Sequence, residues 1–335
     1  PVACGGSRQA GVRQSVEGRA VSDRIHGSTA SATGVDGAIA QAVRDALCHL
    51  PGVDVAGASH IVGLASDMAI LSLLALSAYV LLLVGRVSFG QQAFFGLGAY
   101  AAGMMTTIYQ IPLVLALAVG TLIGAALAAV VATPTMRLSG LHYAMATLAF
   151  GEMTRVVLGL FTWRQLTPDG PVGPAGVEGF RDIRWLLQHG VSPEVYLLVT
   201  LAVVAAVLAQ GLPVTRLRLL AATVAGGLAA LGGGLYAHRA TYLEPALFDP
   251  MLGMHALGYA LLGGLGTALG PLVGVVADVA LLDASRLVPG WRMVIFGGLV
   301  AVLLRWRPRG LLDEALVHRL AMAWRRLLTP ARPLS

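Results

Sequence analysis

LASDMAILSLLALSAYVLLLV (Leu64–Val84) carries a single charge, Asp67, close to its start. A helix needs about 20 mostly apolar residues to cross the hydrocarbon core of a bilayer, within a range of about 17–25. This stretch meets that length, and Asp67 reads most simply as a helix-end residue. The pattern recurs at LVLALAVGTLIGAALAAVVAT (Leu113–Thr133) and at Leu217–Ala237, which contains the small-residue run AGGLAALGGG. Val195–Gln210 and Trp291–Arg305 are shorter but strongly apolar, and could span with help from their flanks.

The whole chain shares this character. Of its 335 residues, 56% are hydrophobic and 12% charged, with a mean hydropathy of +0.76. An average soluble domain is about 45–50% apolar and about 25% charged. With half the usual charge there is too little polar surface for a water-soluble protein of this size, so most of the outside faces lipid. The 42 glycines point the same way, because small residues let transmembrane helices approach closely. The formal charge is +6, and every cation is an arginine. A nucleic-acid binder would cluster its arginines on soluble segments. Here Arg137, Arg305, Arg307, Arg309, Arg325 and Arg326 stand beside apolar runs. That placement reads as topology control by the positive-inside rule and argues against nucleic acid as a partner. Cys4 and Cys48 both lie in the N-terminal tail, so neither a disulfide framework nor a zinc site is indicated.

Three apolar stretches are interrupted. Val87–Ile108 is broken by Gly90, Gly96 and Gly98, and Gly140–Phe161 carries Glu152 and Arg155 inside it. Met254–Leu282 is too long for one span and contains GGLGTALGP (Gly263–Pro271), which predicts two short helices joined at Gly270-Pro271. Non-helical backbone at membrane depth is tolerated only where protein buries it or where it lines a watery cavity. Interrupted helices therefore point to a translocation path, with close helix packing as the alternative use of glycine. Packing is favoured for Gly96 and Gly98, and a re-entrant hairpin for Gly263–Pro271. The fold expected is all-α and polytopic, with about seven to nine transmembrane or re-entrant helices across residues 61–310 and a basic cytoplasmic tail over 311–335. Residues 1–60 hold no apolar run long enough to span, and their composition predicts a disordered extension or a truncated start rather than a regulatory domain. Within them, VDGAIAQAVRDALCHL (Val35–Leu50) has the spacing of a short surface helix.

The arginines set the orientation. RWRPRGLLDEALVHRLAMAWRRLL after the last span places the C-terminus in the cytoplasm, and Arg216 and Arg218 place the link before Leu217–Ala237 there too. Arg239–Pro250 and the turn-rich loop Thr162–Glu194 then fall outside.

Among polar groups, Glu152 and Arg155 stand out. Each costs about 2.5–3.5 kcal/mol to insert, and such groups face a cavity or one another. At i, i+3 they share a helix face, so a place beside the solute path or subunit interface and a self-neutralised pair near a helix end are equally open. Gln91 and Gln92 follow the break at Gly90, where amides could contact a zwitterionic solute; an interhelical hydrogen bond is the simpler reading. Asp278, Asp283 and Arg286 read as solvated helix-end charges. His142 and His255 are isolated and lack a second ligand at metal spacing. No catalytic constellation, cofactor site or metal site is legible. There is no GxxxxGK[ST] phosphate loop, and Gly264, Gly266 and Gly270 lie in an apolar segment without lysine.

Three stretches in order carry a family resemblance: VGRVSFGQQAFFGLGAYAAGMM (Val84–Met105), RLSGLHYAMATLAFGEMTRVVL (Arg137–Leu158) and GLYAHRATYLEPALFDPMLGMHALGYALLGGLGTALGPLVG (Gly234–Gly274), followed by RPRGLLDE (Arg307–Glu314). Together they resemble the LivM-type permeases of branched-chain amino acid ABC importers, a group that includes urea and short-chain amide permeases. The resemblance implies a non-enzymatic permease subunit in the inner membrane. It would work with a LivH-type sister permease, two cytoplasmic ATPase subunits and an external solute-binding protein. It marks Gly90, Gln91, Gly96, Gly98, Tyr100, Glu152, Arg155, Gly263, Gly264, Gly266, Gly270 and Pro271 as candidate path or motif residues. It also implies an arginine-rich segment with a short ATPase-docking helix after Val195–Gln210. Here the chain passes from VLAQ (Val207–Gln210) directly to GLPVTRLRLLA (Gly211–Ala221), so that helix is missing. A further apolar segment expected before Leu64 is likewise not supplied by residues 1–60, and the external TGG-type motif is only echoed by TPDGPVG (Thr167–Gly173). Loss of the docking helix motivates an alternative, a permease-like membrane protein uncoupled from ATP hydrolysis.

Overall fold

A computed structural model of the chain describes residues 34–48, 55–167, 170–209, 218–284, 292–306 and 310–311. Among these are eleven α-helices: α1 (Gly34–Cys48), α2 (Val55–Leu83), α3 (Gln91–Thr107), α4 (Leu113–Thr135), α5 (Leu141–Leu160), the single turn α6 (Trp185–Gln188), α7 (Pro193–Ala209), α8 (Arg218–Ala240), α9 (Pro250–Gly263), α10 (Gly270–Ala284) and α11 (Arg292–Trp306). One small antiparallel hairpin, β1 (Gln165–Thr167) and β2 (Gly170–Val172), follows α5. Three helices, at 57–83, 113–135 and 218–240, are long and apolar enough to cross a membrane. At 1.5 Å per residue the 23 residues of α4 rise about 34 Å, more than the roughly 30 Å of a hydrocarbon core. The chain is a polytopic α-helical membrane protein.

It divides into two compact units. The smaller takes residues up to 69 together with 184–205. In it, α1 occupies the amphipathic stretch beginning at Val35. Helix α2 starts at Val55, so a boundary at residue 60 falls inside a helix. Glu194, in the first turn of α7, is buried at 4% exposure, where the helix N-terminus favours negative charge.

The larger unit takes residues 70–183 and those from 206 onward. Its centre is α3, α4 and α8, brought together by small residues. A Cβ at Gly98 or at Gly124 would overlap Ala230, one at Gly226 would overlap Ala128, and one at Gly233 would overlap the Phe95 carbonyl. Of the apolar window of α8, 67% is buried, against 28% for α4; α4 packs inward through the stripe Ala116, Gly120, Gly124, Ala128 and Ala132 and leaves its other side exposed. Several polar groups in this unit are paired. His238 Nδ1 lies 2.7 Å from the Gly234 carbonyl and must donate to it, while Nε2 is 2.9 Å from Thr106 Oγ1. Arg86, in the link from α2 to α3, donates to the carbonyls of Met136 (2.9 Å) and Leu138 just beyond α4, and lies 5.1 Å over the Tyr143 ring. A cation there satisfies carbonyls a helix end leaves free and opposes its negative dipole end.

The stretch Met254–Leu282 does form two short helices, but their joint is Gly264–Leu269. Gly270-Pro271 instead opens α10. Proline suits a first helical turn because its missing N–H is not needed there. At 14 and 15 residues, α9 and α10 rise only about 21–23 Å, too short to span.

Candidate functional site

The chain's interrupted segments meet where α3, α5 and α9 come together. Helix α3 opens after Ser88-Phe89-Gly90, and that corner is pinned by side chains. Ser88 Oγ accepts from the Gly90 N–H at 3.3 Å, and Thr147 Oγ1 of α5 accepts from the Phe89 N–H at 3.2 Å. Gln91 is fully engaged: its Oε1 accepts from Ser77 Oγ of α2 at 2.5 Å, and its Nε2 donates to Ser88 Oγ at 3.4 Å. The interhelical hydrogen bond, the simpler of the two readings of this pair, is the one the structure shows for Gln91.

Gln92 differs. It is 0% exposed, and neither Oε1 nor Nε2 has a hydrogen-bond partner among the described residues. Its amide fills the space that Gly151 of α5 and Gly253 of α9 leave free, since a Cβ at either glycine would overlap it. One turn on, a Cβ at Gly96 would come within 2.9 Å of the Phe248 ring. Two turns on, Tyr100 is 3% exposed, with its hydroxyl unpartnered among the described residues and its ring 6.2 Å from those of Phe180 and Phe248. Phe248 ends the 3-10 turn Pro245–Phe248 that leads into α9. Asp249 then caps α9, its Oδ1 accepting from the Leu252 N–H at 3.1 Å, with Pro250 as the first helical residue.

The other expected residues lie elsewhere. Gly98 faces Ala230 of α8, on the packing side of α3. Glu152 and Arg155 pair with each other (Arg155 Nη2 to Glu152 Oε2, 2.8 Å) with side chains 37% and 36% exposed, among the exposed Met145, Met153 and Val156. Gly263, Gly264 and Gly270 gather at the hairpin joint, Pro271 is buried beside them, and Gly266 is exposed in the bend. Gly310 joins this cluster with φ +82°, seated so closely on Gly264 that a Cβ would overlap its backbone, and the Leu311 N–H donates to the Leu262 carbonyl at 3.0 Å. Tyr79 Oη also donates to the Leu265 carbonyl at 3.3 Å. Gly310, the last residue of RPRG, thus meets the GGLGTALGP motif in space.

Asp278 requires a correction. It is no solvated helix-end charge: it is 1% exposed, midway along α10, and its Oδ2 accepts from Tyr259 Oη of α9 at 2.9 Å. Because α10 continues to Ala284, the acid falls inside the helix and α9 covers it. His255 stacks on the same tyrosine at 5.9 Å. The side chains of Asp283 and Arg286 lie outside what the structure describes, as do the link at 210–217 and the basic tail beyond Leu311. No group of three or more potential metal ligands occurs among the described residues.

Between α3, α4 and α5, a cavity of about 20 Å³ is lined by Ser88, Gly90, Gln91, Tyr143, Thr147 and Phe150. That is room for one water and not for an amino-acid-sized solute. A second depression, of about 480 Å³ and bordered by Arg164, Glu178, Arg181 and Asp182, opens on the loop after α5.

The model of the family described as "Branched-chain amino acid transport system / permease component" matches residues 60–210 and 204–304. Relatives include the proteins named high-affinity branched-chain amino acid transport system permease protein LivM of Salmonella typhimurium and of Escherichia coli. Each is 26% identical over 276 residues, covering 69% of this chain and 64% of the relative. The chain thus spans just under two thirds of the length of these relatives. No solved structure matches significantly. With the family matched along most of its length and the three resembling stretches built into one helical unit, the chain belongs to the branched-chain amino acid transport system permease family.

Proposed function

We propose that the chain is the membrane-spanning permease subunit of an ABC importer for branched-chain amino acids, or for related small amino acids or amides, in the inner (plasma) membrane. The match to the permease family over residues 60–304 carries this reading. Its partners are then a LivH-type sister permease, two cytoplasmic ATPases and an external binding protein, which sets most of the substrate choice. The short helices α9 and α10 and the break before α3 support transport through interrupted helices. The C-terminus is cytoplasmic. In support, the Leu311 N–H bonds the Leu262 carbonyl beside the hairpin joint, and the Phe180–Leu243 bridge joins the two loops assigned to the outside.

One observation favours a second reading, an uncoupled permease. The two family matches meet at residues 204–210, where the ATPase-docking helix is missing from the sequence. A power stroke requires an element that contacts the two ATPase states differently. Co-purification of the full chain with its cognate ATPases and sister permease, followed by ATP-dependent uptake of labelled leucine in vesicles, separates the two. A stable complex with uptake is expected if coupling uses another surface. Failure of this chain to bind ATPases that do bind an intact homologue would leave the uncoupled reading standing.

A further inference from the structure

The depression of about 480 Å³ on the loop after α5 has the size of a small-molecule cleft, for which about 300–1,000 Å³ is typical. Two arginines, Arg164 and Arg181, and two acids, Glu178 and Asp182, border it, with Gly173 and Gly179 in its wall. Backbone contacts fix that wall. A Cβ on Gly173 would overlap the Trp163 carbonyl, and one on Gly179 the Leu243 carbonyl. Phe180 and Leu243 exchange backbone hydrogen bonds of 2.7 and 2.8 Å, and the Tyr242 hydroxyl donates to the Glu178 carbonyl at 3.3 Å. The charges do not use each other up. Arg164 Nη2 donates to Glu178 Oε2 at 2.8 Å, which leaves Oε1 on a side chain that is 75% exposed. Arg181 lies 5.3 Å over the Tyr242 ring, exposed and without an ion pair among the described residues.

The depression also stands at the end of an apolar helix face. Helix α5 leaves Met153, Val156, Val157 and Leu160 exposed, and Arg164 is the first charge after Arg155. Between them lie the exposed Phe161 and Trp163, aromatic residues of the kind found at headgroup level. The turn carrying Glu178 is seated on this helix end, the Gly176 N–H donating to the Phe161 carbonyl at 3.0 Å. Leu166, 91% exposed, pairs across the hairpin with Pro171 on the rim. Both signs of charge beside an apolar face fit one kind of ligand. We propose that the depression holds a glycerophosphoethanolamine group, the headgroup of a phospholipid with a phosphodiester and a primary ammonium. Arg181 and Arg164 take the phosphate, whose oxygens match the guanidinium fork. Glu178 Oε1 accepts from the ammonium N–H, which a trimethylammonium headgroup lacks and a glycerol headgroup replaces by a neutral hydroxyl. The acyl chains then follow the apolar face of α5.

The inference requires only that α5 stands in a bilayer, whatever the chain transports. The full chain in detergent is titrated with phosphatidylethanolamine, phosphatidylcholine or phosphatidylglycerol, and the fraction carrying one lipid is read by native mass spectrometry. The ethanolamine lipid is expected to bind about tenfold or more tighter than the other two. Arg181→Gln should weaken it about tenfold, as fits loss of one charge-assisted contact, Arg181→Lys less, and Glu178→Gln should erase the preference for ethanolamine over choline. Arg305→Gln, the same loss of charge at the end of α11, should change nothing. Soluble glycerophosphoethanolamine separates the sources: displacement of the lipid at equal concentration makes the free headgroup a ligand, and none at hundredfold excess restricts the site to lipid. Equal binding of the three lipids, or binding indifferent to both Arg181→Gln and Glu178→Gln, overturns the site. So does capture of the external solute-binding protein, without lipid, that is lost with Arg181→Gln, because the depression is then a protein contact.

Discussion

The two faces of α3 use glycine in opposite ways. On one, Gly98 meets the backbone of Ala230, and α4 and α8 close in through Gly124, Gly226 and Gly233. What fills the space there is another backbone or an alanine methyl, and the nearby polar groups His238 and Thr106 bond each other. On the other face, Gly151 and Gly253 make room for the Gln92 amide, with the Phe89 carbonyl also close to Gly253, and the amide has nothing to bond among the described residues. A glycine in a membrane helix therefore says only that something comes close. Whether it serves packing or function depends on what comes close, and whether that group is satisfied.

The strongest way to break the comparison is to add bulk on the packing face. Gly98→Leu must push a side chain through the Ala230 backbone, which no rotamer avoids. Overpacking of this kind is expected to cost about 3 kcal/mol or more, read as loss of folded chain in detergent thermal unfolding. On α11, Gly297→Ala and Gly298→Ala meet nothing within 4 Å. They should leave stability level or raise it by about 0.5–1 kcal/mol, the ordinary gain of alanine over glycine in a helix. Equal losses at Gly98 and Gly297 would show that close approach does not set the cost, since helix propensity alone predicts a gain at both.

The spanning helices α4 and α8 were legible because each writes its length in its own residues: their ends differ from the apolar runs by only a few positions, whereas α2 starts nine residues before its run. The hairpin was legible as a break. Its joint lies before Gly270 rather than at it, because proline reads as a stop although it starts α10 as readily. Gln91 and Gln92 were legible as a pair of amides. That one would be bonded and the other not depends on Ser77, fourteen residues upstream on another helix. Asp278 eludes the sequence for the same kind of reason. Its burial is decided by Tyr259, nineteen residues away across a turn whose geometry the sequence does not state.

Asp278 also sharpens the comparison, because it is a buried acid with a bonded partner, where Gln92 is a buried amide without one among the described residues. Tyr259→Phe removes the donor to Asp278 Oδ2 and is expected to destabilise the chain by about 1–3 kcal/mol. Asp278→Asn keeps a side-chain oxygen to accept the same bond and should cost less. A double-mutant cycle of Tyr259→Phe with Asp278→Leu should give a coupling of about 0.5–3 kcal/mol. A coupling near zero would mean that the pair is no more cohesive than the orphan amide, and that bonding is not what separates the two.

The smallest effect is expected at Glu152 and Arg155, the one pair of opposite charges that α5 carries. They share their helix face with exposed Met145, Met153 and Val156, so lipid or another protein must cover them. In the isolated chain in detergent, both side chains are more than a third exposed and the bridge is one turn long. Such pairs contribute under about 1 kcal/mol, and Glu152→Gln with Arg155→Gln should barely move thermal unfolding. In a bilayer the same charges cost about 2.5–3.5 kcal/mol each unless protein or water reaches them. If the double variant leaves the isolated chain unchanged but alters co-purification with the sister permease, this face of α5 is where the second subunit sits. If neither changes, the pair neutralises itself at the lipid boundary. Gln92, between α3, α5 and α9, then differs from this pair in having no partner to give up among the described residues.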